Sequence, residues 1–253
     1  MAIYHVNELL TSRSPAEGFI ALDTNILIQL GDDTHQYYHP TTIFFKKVML
    51  AKNFHFVYFI PTRLELREYF RRRFLTLFLR KNYQHGPCFI GGEGRVDEYC
   101  AEHPKIKTSY EDWESLNDHE IKEIRSRCFR DFKDLETGIQ RWQQLSHMAL
   151  ANRLKVMDEK LVSLKICYKS LGDEDLFPET VKKPRWEDQE RYVNDFAFSA
   201  QDAAILNMAT TSGKIFGIMT NDIDFVQICQ TDEVMSKISC YTFNPRLIDE
   251  RTD

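Results

Sequence analysis

The chain has 253 residues, of which 43% are apolar and 28% charged, with a net charge of −5. That supplies core for one large domain, or one domain carrying an insertion, and it excludes a protein that coats nucleic acid by bulk charge while leaving room for a local basic patch. No apolar run approaches the roughly 18 to 20 residues of a membrane helix. The start MAIYHVNELL lacks the basic segment and apolar stretch of a signal peptide, and six cysteines without a CxxC pair point to a reduced, cytoplasmic protein with no membrane contact.

Residues 1–17 end in the polar stretch Thr11-Ser12-Arg13-Ser14-Pro15 and form a lead-in. Phe19-Ile20-Ala21-Leu22 is apolar without alternation, the pattern of a strand covered on both faces. It stops at Asp23, after which Ile26, Leu27 and Leu30 fall at helical spacing. A loop at Gly31-Asp32-Asp33-Thr34-His35 precedes a helix over Thr42–Lys52 and a second buried strand over Phe54–Ile60, stopped by Pro61. Thr62-Arg63-Leu64-Glu65 has the form of a capping box. The helix it opens runs to about Asn82, with Leu66, Phe70, Phe74 and Phe78 on one side and Arg67, Arg71, Arg72, Arg73, Arg80 and Lys81 on another.

Gly86–Gly94 is a Gly-rich loop. From about Asn117 to Leu171 the chain is charged and helically periodic, with a start signal at Asn117 and Glu120 and an expected hairpin break near Ser146. No strand stands out within this block, which Gly172–Trp186 closes. An α/β pattern then returns. Ser199-Ala200-Gln201-Asp202 opens a helix ended by Gly213, Ile215–Met219 is a strand, Thr220–Phe225 leads into a short helix, and Ile238–Phe243 is a last strand. Strands interleaved with helices imply right-handed crossovers and a parallel sheet. The expected organisation is an α/β domain in two parts, 1–82 and 195–253, interrupted by a mostly helical insertion at 83–194.

Asp23 and Asp222 each follow a buried strand, Glu65 lies one turn into a helix, and Asp202 lies in the first turn of another. A parallel sheet gathers all four at its carboxyl edge, where Asp224 can join them. Acids so close repel one another and raise each other's pKa; a divalent cation relieves this, and an oxygen-only donor set favours Mg²⁺ or Mn²⁺, which suits phosphodiester hydrolysis. Each acid also has a structural account: Asp23 and Asp222 as helix caps, Glu65 and Asp202 as capping-box partners of Thr62 and Ser199. Glu68, one turn on, rivals Glu65.

The order of these motifs resembles the PIN-domain nucleases. The resemblance rests on Leu22-Asp23-Thr24-Asn25, Pro61-Thr62-Arg63-Leu64-Glu65-Leu66, Ser199-Ala200-Gln201-Asp202-Ala203-Ala204-Ile205-Leu206 and Met219-Thr220-Asn221-Asp222-Ile223-Asp224-Phe225. It implies a Rossmann-like three-layer α/β/α sandwich around a central parallel sheet, and metal-dependent cleavage of single-stranded nucleic acid, usually RNA. It further implies that Asp23, Glu65, Asp202 and Asp222 are the catalytic, Mg²⁺- or Mn²⁺-binding acids, with Asp224 auxiliary and Thr24, Asn25, Thr220 and Asn221 orienting them. The insertion departs from the compact members of that family. A structure-specific DNase with the same acids, and a non-catalytic nucleic-acid-binding or scaffold protein, remain open, as do an antitoxin or other protein partner on the insertion and a homodimer.

Arg67, Arg71 and Arg72 offer a track for a phosphate backbone, with Tyr69 and Tyr83 as stacking neighbours, or else a solvated helix face. His85, Cys88, Cys100 and His103 have spacing a zinc site can use, in an unusual order. Trp113, Trp142 and Trp186 are expected to pack in the helical block.

Overall fold

The computed structural model describes residues 3–11, 15–84, 89–108, 114–178, 184–228 and 238–249. Its centre is one sheet of six strands, all parallel and flanked by helices, a three-layer α/β arrangement. The strands are β1 (Ile3–His5), β2 (Glu17–Leu22), β3 (Asn53–Tyr58), β4 (Ile166–Tyr168), β5 (Ile215–Met219) and β6 (Ser239–Thr242), in the spatial order β1-β6-β5-β2-β3-β4. The central strands carry the apolar runs because both faces are covered. Ile20, Ala21, Leu22, Phe56, Val57, Ile218 and Met219 are all fully buried.

The register aligns the strand ends. Leu22 pairs with Met219, and Met219 with Tyr241, so the residues after β2, β5 and β6 come out side by side. From β2 the chain winds outward through β3 and β4, then returns to β5 on the other side of β2 and continues to β6. The winding therefore reverses between β2 and β5, and the crevice beyond the carboxyl ends of two such strands is where open α/β sheets bind ligands.

Two strands escape the sequence pattern. β1 lies in the expected lead-in, and β4 lies in the mostly helical block in which no strand stands out. Both are three residues long at the sheet edges, too short for a two-residue period to register. Before β4 the chain leaves its helix through Lys165, whose φ of 55° lies in the left-handed region.

The helices are α1 (Thr24–Gly31), α2 (Tyr38–Ala51), α3 (Ile60–Tyr83), α4 (Arg95–Glu102), α5 (Pro104–Lys107), α6 (Asp118–Arg130), α7 (Leu135–Ser163), α8 (Trp186–Phe196), α9 (Ala200–Ser212) and α10 (Ile223–Ile228), with a closing turn at Arg246–Asp249. None is long and apolar enough to cross a membrane, among the described residues. The start of α3 differs from the capping box expected at Thr62–Glu65. The helix is already under way at Ile60, with Pro61 in the first turn, where a missing N–H costs little. The Thr62 hydroxyl is buried without a hydrogen-bond partner, so Glu65 is not engaged as a cap.

The chain forms two compact units, residues 1–66 with 160–253, and residues 67–159. All six strands, and α8 as well, belong to the first. Its core joins Ala21, Val57, Phe59, Ile205, Leu206, Ile218 and Phe225. The second unit has its own core, including Leu75, Leu79, Val96, Ile106, Ile121, Ile124 and Leu145, with Trp142 packed against it. The helix break expected near Ser146 falls instead between Arg130 and Leu135. Asp134 there accepts from the Thr137 backbone N–H at 2.8 Å and its hydroxyl at 2.9 Å, a side-chain cap for α7. Gly138 permits the tight turn, since a Cβ there would stand 2.8 Å from the Phe129 Cα.

Gly217 is the matching constraint in the sheet. A Cβ at this position would lie 2.5 Å from the Tyr241 ring on the neighbouring strand. Gly217→Ala should therefore destabilise the protein by about 1–3 kcal/mol, as overpacking does, seen as a lower melting temperature by circular dichroism. An unchanged melt would show that Tyr241 yields freely.

Candidate active site

Asp23 continues the ladder of β2, its N–H donating to the Met219 carbonyl at 3.1 Å. Its carboxylate turns back on the first turn of α1, where Oδ1 accepts from the Thr24 N–H at 2.5 Å. Oδ2 accepts from the Thr220 hydroxyl at 2.6 Å and the Asn25 amide at 2.5 Å. The Thr220 oxygen in turn accepts from the Asp222 N–H at 2.9 Å. Asn25 Oδ1 accepts from the Asn221 N–H at 3.1 Å, which fixes the orientation of that amide. Asn221 Oδ1 then accepts from the Thr242 hydroxyl and the Phe243 N–H, both at 2.9 Å. One chain of hydrogen bonds thus fastens the ends of β2, β5 and β6.

The other acids stand around this floor. The Thr24 hydroxyl donates to Glu65 Oε2 at 2.6 Å, tying α3 to α1. Asp202 Oδ2 accepts from the Ser199 hydroxyl at 2.7 Å, and Ser199 caps α9 through the Asp202 N–H at 3.1 Å. Asp222 Oδ1 accepts from the Asp224 N–H at 2.8 Å, capping α10. The capping accounts are therefore correct for Asp23 and Asp222 and incorrect for Glu65, while the box expected at Ser199 forms by half: Ser199 accepts from the Asp202 N–H, but the Asp202 carboxylate meets the Ser199 hydroxyl rather than its backbone N–H. Among the described residues, Glu65 Oε1, Asp202 Oδ1 and Asp222 Oδ2 accept no hydrogen bond and none of the five acids is in an ion pair.

Asp23 is buried, Asp202 half-buried, and Glu65, Asp222 and Asp224 are exposed, so charge density rises from a dry floor to a wet rim. Burial pushes the Asp23 carboxyl up to about 7, against the hydrogen bonds from Thr220 and the Thr24 N–H, with the charges of Asp202 and Glu65 adding to the rise. Burial also raises Asp202, opposed by the Ser199 bond and reinforced by Glu65, Asp222 and Asp224. These mutual repulsions mark the five acids as one electrostatic site. Glu68 belongs elsewhere: it is paired with Arg71, which holds its carboxyl below the usual range, so Glu65 is the acid of this site.

The donor set fits a hard cation in chemistry and charge: oxygens only, negative in sum, and without an ion-paired cation among the described residues. The side chains as placed do not close round an ion. Among the described residues no three His, Cys, Asp or Glu side chains are grouped tightly enough to hold a metal.

The expected basic track is largely committed within the second unit. Arg67 pairs with Asp158 at 2.5 Å, and Arg71 with Glu68 and Asp118. Arg80 is buried and donates to the carbonyls of Lys105 and Glu114, each at 2.6 Å. Arg72 is half-buried. Tyr69 packs edge-on to Phe70, and the Tyr83 hydroxyl is bonded to Asp97. For the zinc arrangement, His85 and Cys88 lie outside the described residues. Cys100 is buried in the apolar core, its thiol pushed up by burial to about 12, and burial lowers His103. Trp113 and the Trp186 side chain also lie outside the described residues.

Sequence reasoning missed Thr242 and Phe243, the anchors of Asn221 on β6. The available signal was a threonine closing a buried strand, a polar group that needs a partner. No family model, no curated protein and no solved structure matches the chain.

Between about pH 4 and 7 the folded chain holds a proton on Asp23 that the unfolded chain has released, so this group makes stability fall as pH rises through that window and stay low above it. In EDTA, Asp23→Asn should melt higher than the parent at pH 8, and the difference should shrink towards pH 5. A difference that is constant with pH would place the carboxylate in water.

Proposed function

We propose that the chain is a metal-dependent endoribonuclease of PIN type that hydrolyses single-stranded RNA at the carboxylate site. The observation that carries this reading is the placement of Asp23 and Asp222 on either side of the winding reversal between β2 and β5, with Glu65 and Asp202 coupled to them through space. A buried carboxylate with no ion-pair partner among the described residues leaves the site short of positive charge. Asp23, Glu65, Asp202 and Asp222, with Asp224, would hold Mg²⁺ or Mn²⁺, and Asp23 must then give up its proton. When bound, the ion would supply Lewis-acid activation of water and of a phosphate oxygen.

The residues of the chain do the positioning. Thr220, Asn25 and the Thr24 N–H hold Asp23 in one rotamer, and the Thr24 hydroxyl holds Glu65. Water adds to phosphorus, the bond from phosphorus to the 3′ oxygen breaks, and the products are a 3′-hydroxyl and a 5′-phosphate. Among the described residues Cys100, Cys128 and Cys167 are free thiols, in keeping with a reducing, intracellular setting.

Asp23→Asn and Asp222→Asn should each reduce Mn²⁺-dependent cleavage of labelled single-stranded RNA by about 100-fold or more without lowering the melt at neutral pH. Normal cutting by both variants would end the proposal, and cutting of DNA in preference to RNA would reassign the substrate. A second check needs no turnover: Mn²⁺ should raise the melting temperature of the parent and leave that of Asp23→Asn nearly unmoved.

A further inference from the structure

The first unit has a concavity of about 580 Å³ between the loop after α1 and the segment that follows β6. That volume is in the range of small-molecule sites. Its wall includes Asn221, the residue whose backbone N–H is bonded to Asn25 and whose neighbour is Asp222. The cavity is thus lined by a residue of the hydrogen-bond network that holds Asp23, one position before Asp222.

The lining has the chemistry of nucleotide recognition. Tyr37 is 50% exposed at the rim, in ring contact with His35 at 5.8 Å between centroids. Phe243 lines the same space and is held edge-on by Phe44 at 5.1 Å. These rings offer aromatic faces on which any base can stack. Gln29 is only 5% exposed, and its Oε1 accepts from the Thr41 hydroxyl at 3.0 Å, leaving its amide N–H groups as the donors on the wall. Arg246 is exposed at the mouth, a guanidinium placed for a phosphate.

We infer that this cavity receives one unpaired base of a single-stranded nucleic acid, stacked on Tyr37 and Phe243 with Arg246 on its phosphate, next to the bond cut at the carboxylates. The inference rests on the nuclease reading and deepens it. The specificity for single strands then has a physical cause: a base inside a duplex has both faces stacked and cannot enter without being extruded. A seated base also holds the neighbouring phosphodiester against the acids, the positioning part of catalysis.

The test uses the full chain with Asp23→Asn, which binds without cutting, and a fluorescent single-stranded RNA and DNA of the same sequence, read by anisotropy. Tyr37→Ala should weaken binding about tenfold or more, Tyr37→Phe should restore most of it, and Arg246→Ala should weaken it and reduce its salt dependence. A duplex of the same sequence should bind weakly and be indifferent to Tyr37→Ala. The RNA and DNA arms show which sugar is preferred, and a mononucleotide competitor shows whether one nucleotide suffices. In the active chain, Tyr37→Ala should raise KM more than it lowers kcat. If Tyr37→Ala and Arg246→Ala bind within twofold of the parent while the active chain still cleaves in an Asp23-dependent way, the base pocket is wrong and the nuclease reading stands. If the parent neither binds nor cleaves any strand, both fall.

Discussion

A buried carboxylate with no ion-pair partner among the described residues is the constraint around which the sheet-bearing unit is arranged. Taking Asp23 out of water is costly, and the carboxyl answers by moving up to about 7. Three donors reduce the cost: the Thr24 N–H, the Thr220 hydroxyl and the Asn25 amide. Each comes from a different requirement of the fold. Thr24 begins α1, Thr220 ends β5, and Asn25 is braced by Asn221, itself braced from the end of β6. The network sits where the parallel register brings Leu22, Met219 and Tyr241 level. A one-residue slip between β2 and β5 would point Asp23 at the opposite face of the sheet, so the hydrogen bonds and the register specify each other.

How much of this was legible in the sequence depended on burial. β2, β3, β5 and β6 were readable because a strand covered on both faces must be apolar without interruption. β1 and β4 were not, since three-residue edge strands carry no period and β4 follows directly on a long helical pattern. Asp23 and Asp222 were readable because an acid that ends an apolar run is out of place in a strand. Glu65 was readable from its place one turn into the helix after a buried strand, while the competing structural account of it fails. The box with Thr62 does not form, and Thr62 is an internal residue of α3. Thr242 is marked locally only as a polar residue closing a buried strand; that its partner is Asn221, distant in sequence, has no local signal.

The charge pattern of α3 shows the reverse failure. Its arginines follow helical spacing, so the sequence gathers them on a face, but spacing carries no information about what lies opposite. Asp158 and Asp118 come from α7 and α6, and the carbonyls of Lys105 and Glu114 come from α5 and the loop before α6. Within the second unit these arginines meet acceptors, and partly buried ion pairs of this kind neutralise a stripe that looks cationic in one dimension. The break between α6 and α7 was misplaced for a similar reason. Asp134 and Gly138 act through their contacts with Thr137 and Phe129, whereas Ser146 sits in an uninterrupted turn of α7.

The helix-cap and metal-ligand accounts of the acids are not alternatives. A cap engages one carboxylate oxygen with N–H groups at the start of a helix, and it leaves the other oxygen directed away from the helix. Asp222 gives Oδ1 to the first turn of α10, and Asp202 gives Oδ2 to the hydroxyl of the Ser199 cap, so each retains one oxygen without a hydrogen bond among the described residues. Capping also holds the side chain in one rotamer before any ligand arrives, which lowers the ordering cost of binding. The same helix starts that make Asp a favoured residue therefore preorganise it. The mutual repulsion of the acids, unrelieved by any ion pair among the described residues, raises the energy of the free site. A divalent cation would bring the carboxylates together from that raised state, and the proton on Asp23 is what it would displace.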